Sequence, residues 1–421
     1  MGHGKLVLLT ALLVVLNGNA YGQPVAGDCD GSGSVTIDEI ITGVNIALGD
    51  SPLSLCPSFD TNGDGAVTID ELIVAVNNAL NGPATPALAF ITATDFQVGS
   101  WATISLDEPH TVDAVRQGRV IGSDAIARTF GGLIYVINRF GGDNVQVLDP
   151  QQDFKTLRQC STGPGTNPND LAFVDARKAY VPLFASKNLL IANPSASADC
   201  SDFVLGNIDL SAYADADGIP DMNQAAVVGD RVYVSLERLS NFVPAENGAI
   251  IEIDTTTNQV LREIDLTGQN PFGMTQGLVV HDGSIYVSEI GAFGVNDGGI
   301  ERVDLSTGTA QGYIITEAEI GGDVTDFVVI SDQLGYAVLS KSDFSTALVS
   351  FNPSTRSVSQ PLLAGSGLTD IELNKRGELY LSDRNTSTPG VRIFRASDGM
   401  QLTTSLIDIG LPPFGIVFLE P

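Results

Sequence analysis

The sequence predicts a mainly β fold, a seven-bladed β-propeller preceded by a small α-helical module. Three observations indicate it: an aromatic residue that recurs through most of the chain, an acidic loop pattern that occurs twice near its start, and a composition rich in glycine and poor in charge. The chain has 45 glycines, and only 17% of its residues are charged, which is typical of turn-rich β structure. Its 421 residues are more than one hydrophobic core ordinarily accommodates, so at least two domains are expected.

The recurring aromatic residue lies in an apolar triplet that returns every 44 to 53 residues. Each triplet is followed by a loop and a second apolar strand, and an inner strand precedes every triplet but the first. The C-terminal run Pro413–Leu419 supplies the missing inner strand. The propeller is therefore predicted to span residues 88–421 and to close without an open edge. The seven aromatic residues are Phe90, Tyr135, Tyr180, Tyr233, Tyr286, Tyr336 and Tyr380.

One blade carries a recognisable repeat. The segment Tyr135–Pro150 (YVINRFGGDNVQVLDP) closely resembles the YVTN-type propeller repeat of secreted and surface-layer proteins. In layout the resemblance covers about residues 88–421. It implies the propeller fold and leaves the ligand open, because one fold supports many functions.

The first 22 residues are predicted to be a signal peptide. Lys5 gives the positive start, and Leu6–Leu16 is an apolar run of 11 residues. Small residues allow cleavage before Gln23, or after Ala20. The run is too short to span a bilayer, so a secreted or cell-surface protein with no membrane span is expected.

Four cysteines behind a signal peptide favour disulfide bonds. Four cysteines allow three pairings. The local pairs, Cys29 with Cys56 and Cys160 with Cys200, are favoured because each lies within one proposed module.

Two copies of one twelve-residue acidic pattern begin at Asp28 (loop 1) and at Asp60 (loop 2). Each has oxygen-bearing side chains at positions 1, 3 and 5, glycine at position 6, threonine at position 9 and glutamate at position 12, which fits the EF-hand template. Ca2+ prefers roughly six to eight such oxygen ligands. Each loop has three anionic ligands, so similar affinities are expected. The predicted calcium ligands are Asp28, Asp30, Ser32, Ser34, Thr36 and Glu39 in loop 1 and Asp60, Asn62, Asp64, Ala66, Thr68 and Glu71 in loop 2.

Each loop runs into one amphipathic helix, and no room for a helix exists before Asp28. A loop followed by a single helix, used twice, resembles the dockerin type I module over residues 27–82, with residues 83–87 as a linker. The apolar stripes of the two helices, at residues 37–47 and 69–80, are expected to pack on each other. Dockerins dock onto cohesins through small hydroxyl residues late in each loop. Here Ile37-Asp38 and Ile69-Asp70 take those places, which argues against cohesin docking.

The net charge is −29. Such a field disfavours nucleic acid and anionic membranes as partners. It favours cations, or it is only a solvated acidic surface.

Three features of the propeller are candidate binding sites. The inner-strand starts are expected at one mouth of the central channel, where they could hold a cation or polar ligand, or could cap turns. The segment Asp215–Asp221 resembles half a calcium loop, or is an acidic turn. The loops Leu239–Asn247 and Gly291–Gly299 could form a binding surface on one face. The strand-start residues are Asp124, Asp170, Gln224, Gln276, Asp326, Asp370 and Gly415.

No catalytic motif stands out, and Trp101, His110 and His281 are isolated. The favoured hypothesis is a secreted, non-enzymatic protein whose calcium-loaded module tethers or spaces a propeller that binds a protein or glycan partner. The alternative is a propeller hydrolase or lyase that acts on an extracellular polysaccharide or lactone with a channel-bound metal.

Overall fold

The computed structural model describes residues 25–30, 35–81 and 87–420. The predicted signal peptide and most of the predicted linker lie outside the described residues. The chain divides into two compact units, a helical one within residues 1–84 and a strand-rich one made of most of residues 85–421. None of the helices in the described ranges has the length and apolar character that a membrane crossing requires.

The N-terminal unit contains two helices, each of which begins directly after an acidic loop. Helix α1 is closed at its start by a capping box, in which Thr36 accepts the N–H of Glu39 and the Glu39 carboxylate accepts the N–H of Thr36. This pairing satisfies two N–H groups that a helix start otherwise leaves open. The helices are α1 Ile37–Ala47 and α2 Ile69–Asn81, with short 3-10 turns at Leu53–Leu55 and Pro57–Phe59.

The core of this unit forms around the fully buried ring of Phe59. A Cβ atom at Gly43 would lie 2.2 Å from that ring, so glycine lets α1 approach this closely. The Cys29–Cys56 disulfide joins loop 1 to the segment that leads into loop 2.

The second unit is a seven-bladed β-propeller, in which each blade is an antiparallel sheet of three or four strands. The strands of the first three blades are β1 Leu88–Thr94, β2 Gly99–Ser105 and β3 Val112–Asp113; β4 Ala125–Phe130, β5 Leu133–Asn138, β6 Asn144–Asp149 and β7 Lys155–Ser161; β8 Ala172–Asp175, β9 Lys178–Val181, β10 Asn188–Ala192 and β11 Val204–Asp209.

The fourth and fifth blades follow, and a small hairpin (β14 and β15) is inserted in the fourth. Their strands are β12 Met222–Val228, β13 Arg231–Leu236, β14 Leu239–Ser240, β15 Val243–Pro244, β16 Asn247–Asp254 and β17 Val260–Gln269; β18 Leu278–His281, β19 Ser284–Glu289, β20 Gly299–Asp304 and β21 Thr309–Thr316.

The last two blades and the closing strand complete the unit. A short helix, α3 Glu317–Ile320, precedes the sixth blade, and 3-10 turns lie at Pro150–Gln152 and Ser211–Tyr213. The strands are β22 Asp323–Ser331, β23 Leu334–Ser340, β24 Thr346–Phe351 and β25 Leu363–Gly365; β26 Leu368–Leu373, β27 Glu378–Asp383 and β28 Gly390–Arg395; and β29 Pro413–Leu419.

Strand β29 is the inner strand of the first blade. It pairs antiparallel with β1, with Phe90 opposite Val417. The first blade therefore combines strands from both ends of the propeller, and the sheet edge that β1 would otherwise present is covered.

The seven recurring aromatic residues all lie on the second strand of their blade, and each is at most 3% exposed. They fill the space between blades; Tyr380, for example, meets Phe418 of the first blade edge to face at a centroid distance of 5.1 Å. The sequence period is therefore the blade period, and the predicted seven-bladed fold is confirmed.

A second disulfide, Cys160–Cys200, ties two neighbouring blades together. It joins β7 of the second blade to the loop between β10 and β11 of the third. Both disulfide pairings favoured from the sequence are confirmed.

Candidate functional site

In loop 1, carboxylate oxygens of Asp28, Asp30 and Glu39 lie within 4.8 Å of one another. Glu39 is positioned by backbone N–H donors, Cys29 at 2.7 Å and Thr36 at 2.8 Å. Burial acts against ionisation, but these hydrogen bonds prevail and lower the pKa of Glu39. Three converging carboxylates suit a hard divalent cation. Within the described residues, no other three acidic, histidine or cysteine side chains bring ligand atoms this close.

In loop 2, the glutamate at position 12 accepts the same hydrogen bonds as its counterpart in loop 1. Glu71 accepts the N–H of Thr61 at 2.9 Å and of Thr68 at 2.8 Å, the same two loop positions that hold Glu39. The hydrogen bond from Thr68 is the largest cause that lowers the pKa of Glu71, to about 2. The carboxylate is therefore ionised at neutral pH.

The first half of loop 2 turns its side-chain oxygens toward one another. The N–H of Asp64 lies 3.0 Å from Asp60 Oδ1 and 2.8 Å from Asn62 Oδ1. Gly65 has a φ of +88°, the left-handed conformation that the sharp turn at position 6 requires. In loop 1, the predicted ligands Ser32 and Ser34 lie outside the described residues.

The apolar stripes of the two helices do not pack fully on each other, which corrects the sequence-based expectation. Among the described residues, each helix has one helical neighbour, which covers only part of its apolar surface, so a second stripe stays exposed. The exposed residues occupy equivalent positions in the two repeats. They are Ile37, Ile41, Val44 and Leu48 in the first repeat and Ile69, Ile73, Val76 and Leu80 in the second.

The segment Asp215–Asp221 forms an acidic turn. The N–H of Asp217 donates to Asp215 Oδ1 at 3.2 Å, and Asp221 accepts the N–H of Leu239 at 2.7 Å. Burial, with the charges of the two neighbouring aspartates, raises the pKa of Asp221 to about 7. The three carboxylates are not among the described groups whose ligand atoms converge within 4.8 Å.

Several inner-strand starts hold neighbouring blades together. Asp170 accepts the N–H of Ala225 at 3.1 Å, Gln224 accepts an N–H of β18 at 3.2 Å, and Asp370 accepts the N–H of Ile416 at 2.8 Å. Each bond runs from one blade to the inner strand of the next. These polar side chains therefore satisfy backbone N–H groups inside the channel.

Two acidic side chains of the channel contact one hydroxyl group. The hydroxyl of Thr275 contacts the carboxyls of both Asp326 and Asp370. A hydroxyl carries one hydrogen, so one of the two contacts requires a protonated carboxyl. Burial, with the negative charges of Asp370 and Glu372, raises the pKa of Asp326 well above its ordinary value, and burial also raises the pKa of Asp370, to about 6.

A positive charge lies beside these acids. Arg128 Nε is 2.8 Å from Asp170 Oδ1, and Arg128 Nη2 donates to the carbonyl oxygen of Thr275 at 2.8 Å. The guanidinium thus supplies inside the channel the positive charge that a channel metal would otherwise bring.

The remaining strand-start residues differ from one another. Asp124 lies at the channel mouth and pairs with Arg139. Gln276 is half-buried. The N–H of Gly415 donates to the hydroxyl of Thr92 at 2.9 Å.

The three isolated aromatic side chains have structural roles. Trp101 is buried and stacks on Phe90 at a centroid distance of 5.2 Å. His110 is buried, with Nδ1 3.1 Å from the carbonyl oxygen of Ser105. His281 ends β18 at a hairpin turn.

One face of the propeller carries a ring of phenylalanines. Six of the seven blades have a phenylalanine in the loop between their second and third strands, and five of these six rings are 59% to 86% exposed. In the seventh blade the corresponding loop begins with Arg384, whose guanidinium lies 4.5 Å from the ring centre of Phe96. The phenylalanine ring consists of Phe96, Phe140, Phe184, Phe242, Phe293 and Phe344.

Three members of the phenylalanine ring have a left-handed backbone: φ is +65° at Phe96, +62° at Phe242 and +64° at Phe344. A bulky residue in this conformation costs on the order of 1–2 kcal/mol, whereas glycine or asparagine would cost less. The strain lies in the corresponding loop of three blades, and strained backbone is common at functional sites.

The phenylalanine ring encloses a cavity of about 600 Å3 at the channel mouth. All its members except Phe344 line this cavity, together with Phe272 and Phe414. Phe344 and Phe293 border a neighbouring cavity of about 320 Å3.

Arg139 is the basic residue of the cavity wall, and its donors are engaged. Its Nε donates to Asp124 at 3.1 Å, and its Nη1 donates to the carbonyl oxygens of Met274 at 3.0 Å and of the Asn169 side chain at 3.4 Å. Its charge is therefore offset by Asp124.

Another part of the wall is rich in carboxyl and amide oxygens. Glu237 is 3% exposed and accepts a hydrogen bond from Asn223. Burial, with the nearby Asp221, raises the pKa of Glu237 to about 8. The buried side-chain oxygens of Asn167, Asn223 and Asn270 have no hydrogen-bond partner among the described residues.

Solved structures resemble this chain in fold alone. A putative 6-phosphogluconolactonase from Bacteroides fragilis has a TM-score of 0.57 at 12% identity, covering 80% of this chain and 100% of that one. Apo AztD from Citrobacter koseri has a TM-score of 0.51 at 15% identity, covering 80% and 98%. A functionally unknown protein from Desulfotomaculum acetoxidans has a TM-score of 0.52 at 14% identity, covering 79% and 99%. No family model and no curated protein matches the sequence.

The strand period alone does not predict the phenylalanine ring. The two loops expected to form a binding surface, Leu239–Asn247 and Gly291–Gly299, contribute only Phe242 and Phe293. A signal nevertheless exists in the sequence, because in six blades a phenylalanine follows the buried aromatic residue by 4 to 9 residues.

Proposed function

We propose that this chain is a secreted, calcium-binding recognition protein without catalytic activity. Its propeller binds a polypeptide partner at the phenylalanine ring, and its N-terminal unit, loaded with Ca2+, tethers or spaces the propeller. The observation that carries the proposal is the ring itself, in which six blades present phenylalanines around one face.

The exposure of these side chains supports a protein partner. Contiguous exposed apolar surface of this kind marks interaction sites on soluble proteins, and aromatic side chains dominate the energy of protein interfaces. The backbone strain at Phe96, Phe242 and Phe344 supports a role in binding, because glycine or asparagine would adopt this conformation at a lower cost.

The calcium proposal is supported by the convergence of Asp28, Asp30 and Glu39 and by the equivalent hydrogen bonding of Glu71. Asp60, Asn62 and Asp64 would complete loop 2. The two matched apolar stripes give a dockerin-like module a surface for the molecule to which it tethers the propeller.

Secretion is supported by the signal-type N-terminal sequence and by the two disulfides, which persist in oxidising compartments. The hydrolase or lyase alternative gains no support from the channel. Its carboxylates accept bonds from neighbouring blades, and Arg128 lies among them.

A peptide display library panned on the calcium-loaded full-length protein tests the propeller's function. The selected peptides are then measured against the F140A/F242A variant and against V204A/L205A, a control on the exposed strand β11 of the third blade. Phe140 and Phe242 are 80% and 83% exposed, so their removal should not unfold the protein. Val204 and Leu205, at 54% and 53%, are likewise exposed.

We expect F140A/F242A to weaken binding by about tenfold or more and V204A/L205A to leave it unchanged. Selected peptides that bind F140A/F242A as well as the wild type would contradict the proposal. The proposal would also be contradicted if the protein bound zwitterionic lipid vesicles through the phenylalanine ring and the panning enriched no peptide.

A further inference from the structure

We infer that the partner presents a basic side chain, lysine or arginine, to the cavity inside the phenylalanine ring. The inference rests on the proposed function and specifies the chemistry of the polypeptide that is bound. Apolar neighbours of that basic residue would rest on the exposed phenylalanines around it.

The first argument is that rings at this mouth already hold cations. The guanidinium of Arg384 lies 4.5 Å from the ring centre of Phe96 and 5.6 Å from that of Phe414, and the guanidinium of Arg139 lies 5.5 Å from Phe414. The face of an aromatic ring attracts a cation by roughly 0.5–2 kcal/mol, more when water is excluded. Phe140 and Phe242 line the same cavity and offer further ring faces to a ligand.

The second argument is the polar lining of the cavity wall. Asp124 and Arg139 neutralise each other, and burial raises the pKa of Glu237 to about 8, so that carboxyl is mostly uncharged at neutral pH. Asn223 and Asn270 also line the cavity, and their buried side-chain oxygens have no hydrogen-bond partner among the described residues. These oxygens favour an inserted ammonium or guanidinium, which donates hydrogen bonds, over a carboxylate, which only accepts them.

The third argument is the charge of the whole chain. A net charge of −29 steers basic partners toward the protein and acidic partners away from it. The cavity volume of about 600 Å3 lies in the range typical of ligand sites, roughly 300–1,000 Å3. It therefore accommodates a long basic side chain together with part of the neighbouring backbone.

Calorimetric titration of the calcium-loaded full-length protein with three blocked pentapeptides tests the inference. The peptides have the sequence Gly-Leu-X-Leu-Gly, with lysine, acetyl-lysine or glutamate at X. Acetylation removes the charge and keeps the length of the side chain. We expect the lysine peptide to bind about tenfold more tightly than the acetyl-lysine peptide, and the glutamate peptide to bind most weakly.

Two variants show whether the cavity is responsible. F140A/F242A should weaken the affinity for the lysine peptide by about tenfold. V204A/L205A removes two exposed apolar side chains of β11, 54% and 53% exposed, which belong neither to the phenylalanine ring nor to the lining of this cavity. It should change the affinity by less than about twofold.

The outcomes separate the two proposals. If the lysine and acetyl-lysine peptides bind equally and F140A/F242A weakens the binding of both, the inference of a basic side chain is wrong and the proposed recognition function stands. If none of the three peptides binds at millimolar concentration, the inference fails, while the panned peptides still test the function independently. If free n-butylamine binds as tightly as the lysine peptide, the site takes free amines and the polypeptide source is wrong.

Discussion

The N–H of Ile416 donates a 2.8 Å hydrogen bond to the carboxylate of Asp370. This bond joins β29, the inner strand of the first blade, to the inner strand of the seventh blade, at the point where the propeller closes. The bond between Asp170 and Ala225 repeats it between the third and fourth blades. Inner-strand carboxylates therefore hold the blades together from inside the channel.

Removal of the closing carboxylate should destabilise the propeller. D370A leaves the buried N–H of Ile416 without an acceptor, and we expect it to lower the free energy of unfolding by about 2 kcal/mol. Chemical denaturation of the full-length protein measures this change. D332A removes an exposed aspartate and should have little effect; equal stability of the two variants would contradict the role of Asp370.

Stability should fall as the pH rises, because several buried carboxyl groups have raised pKa values, among them those of two glutamates. The ordinary pKa of a glutamate is 4.5. Burial, together with the adjacent Glu301, raises the pKa of Glu289 to about 9. Burial, together with the negative charge of Asp323, raises the pKa of Glu317 to about 8. Over that interval the folded state keeps protons that the unfolded chain has released. The free energy of unfolding should therefore decrease from about pH 5 to about pH 9.

Thermal unfolding across this pH range checks the sign and the source of the effect. E289Q should flatten the dependence, because the amide cannot ionise. E319Q changes a glutamate whose pKa is lowered to about 2, chiefly by Arg356, and should keep the slope. A wild-type slope in E289Q would exclude Glu289 as a source.

Calcium binding should divide equally between the two loops. We expect chelator-stripped full-length protein to bind two Ca2+ ions, and E39Q and E71Q each to lose one, because each substitution removes the bidentate ligand of one loop. Calorimetry gives the stoichiometry. D217N, in the acidic turn, is the control and should retain both sites; loss of a site there would assign calcium to the turn instead.

The two disulfides should have separable effects. C160A/C200A should lower propeller stability by about 3–4 kcal/mol and leave calcium binding unchanged. The backbone N–H of residue 29 donates to the Glu39 carboxylate at 2.7 Å, and the disulfide holds that segment in place. C29A/C56A should therefore weaken calcium binding at loop 1. Denaturation curves and calcium titrations on both variants test this difference, and unchanged calcium affinity in C29A/C56A would contradict it.

The propeller could be predicted because its strongest signals are local and repeated. Tyr135, Tyr180 and the other recurring aromatics are buried at the same place in every blade, so the period survives divergence of the rest. The run Pro413–Leu419 has the pattern of an inner strand and no other place to pair. Buried apolar positions of this kind are fixed by the fold itself.

Surfaces could not be predicted in the same way. Ile37 and Ile41 have the helical spacing of core residues, yet they are 78% and 53% exposed, because an apolar stripe does not reveal which partner covers it. Phe140 and Phe242 follow their preceding strands by different numbers of residues. Their shared position in the phenylalanine ring is therefore visible only when the blades are arranged around one axis.

The pairing of β29 with β1 also determines when the propeller can finish folding. A ribosome makes β1 before every other described blade strand and β29 after them. Until β29 is released, the first blade has three strands and its inner edge is bare. A chain that stalls in a middle blade would keep that edge open to strands of other molecules, so truncated products should aggregate although most blades are present.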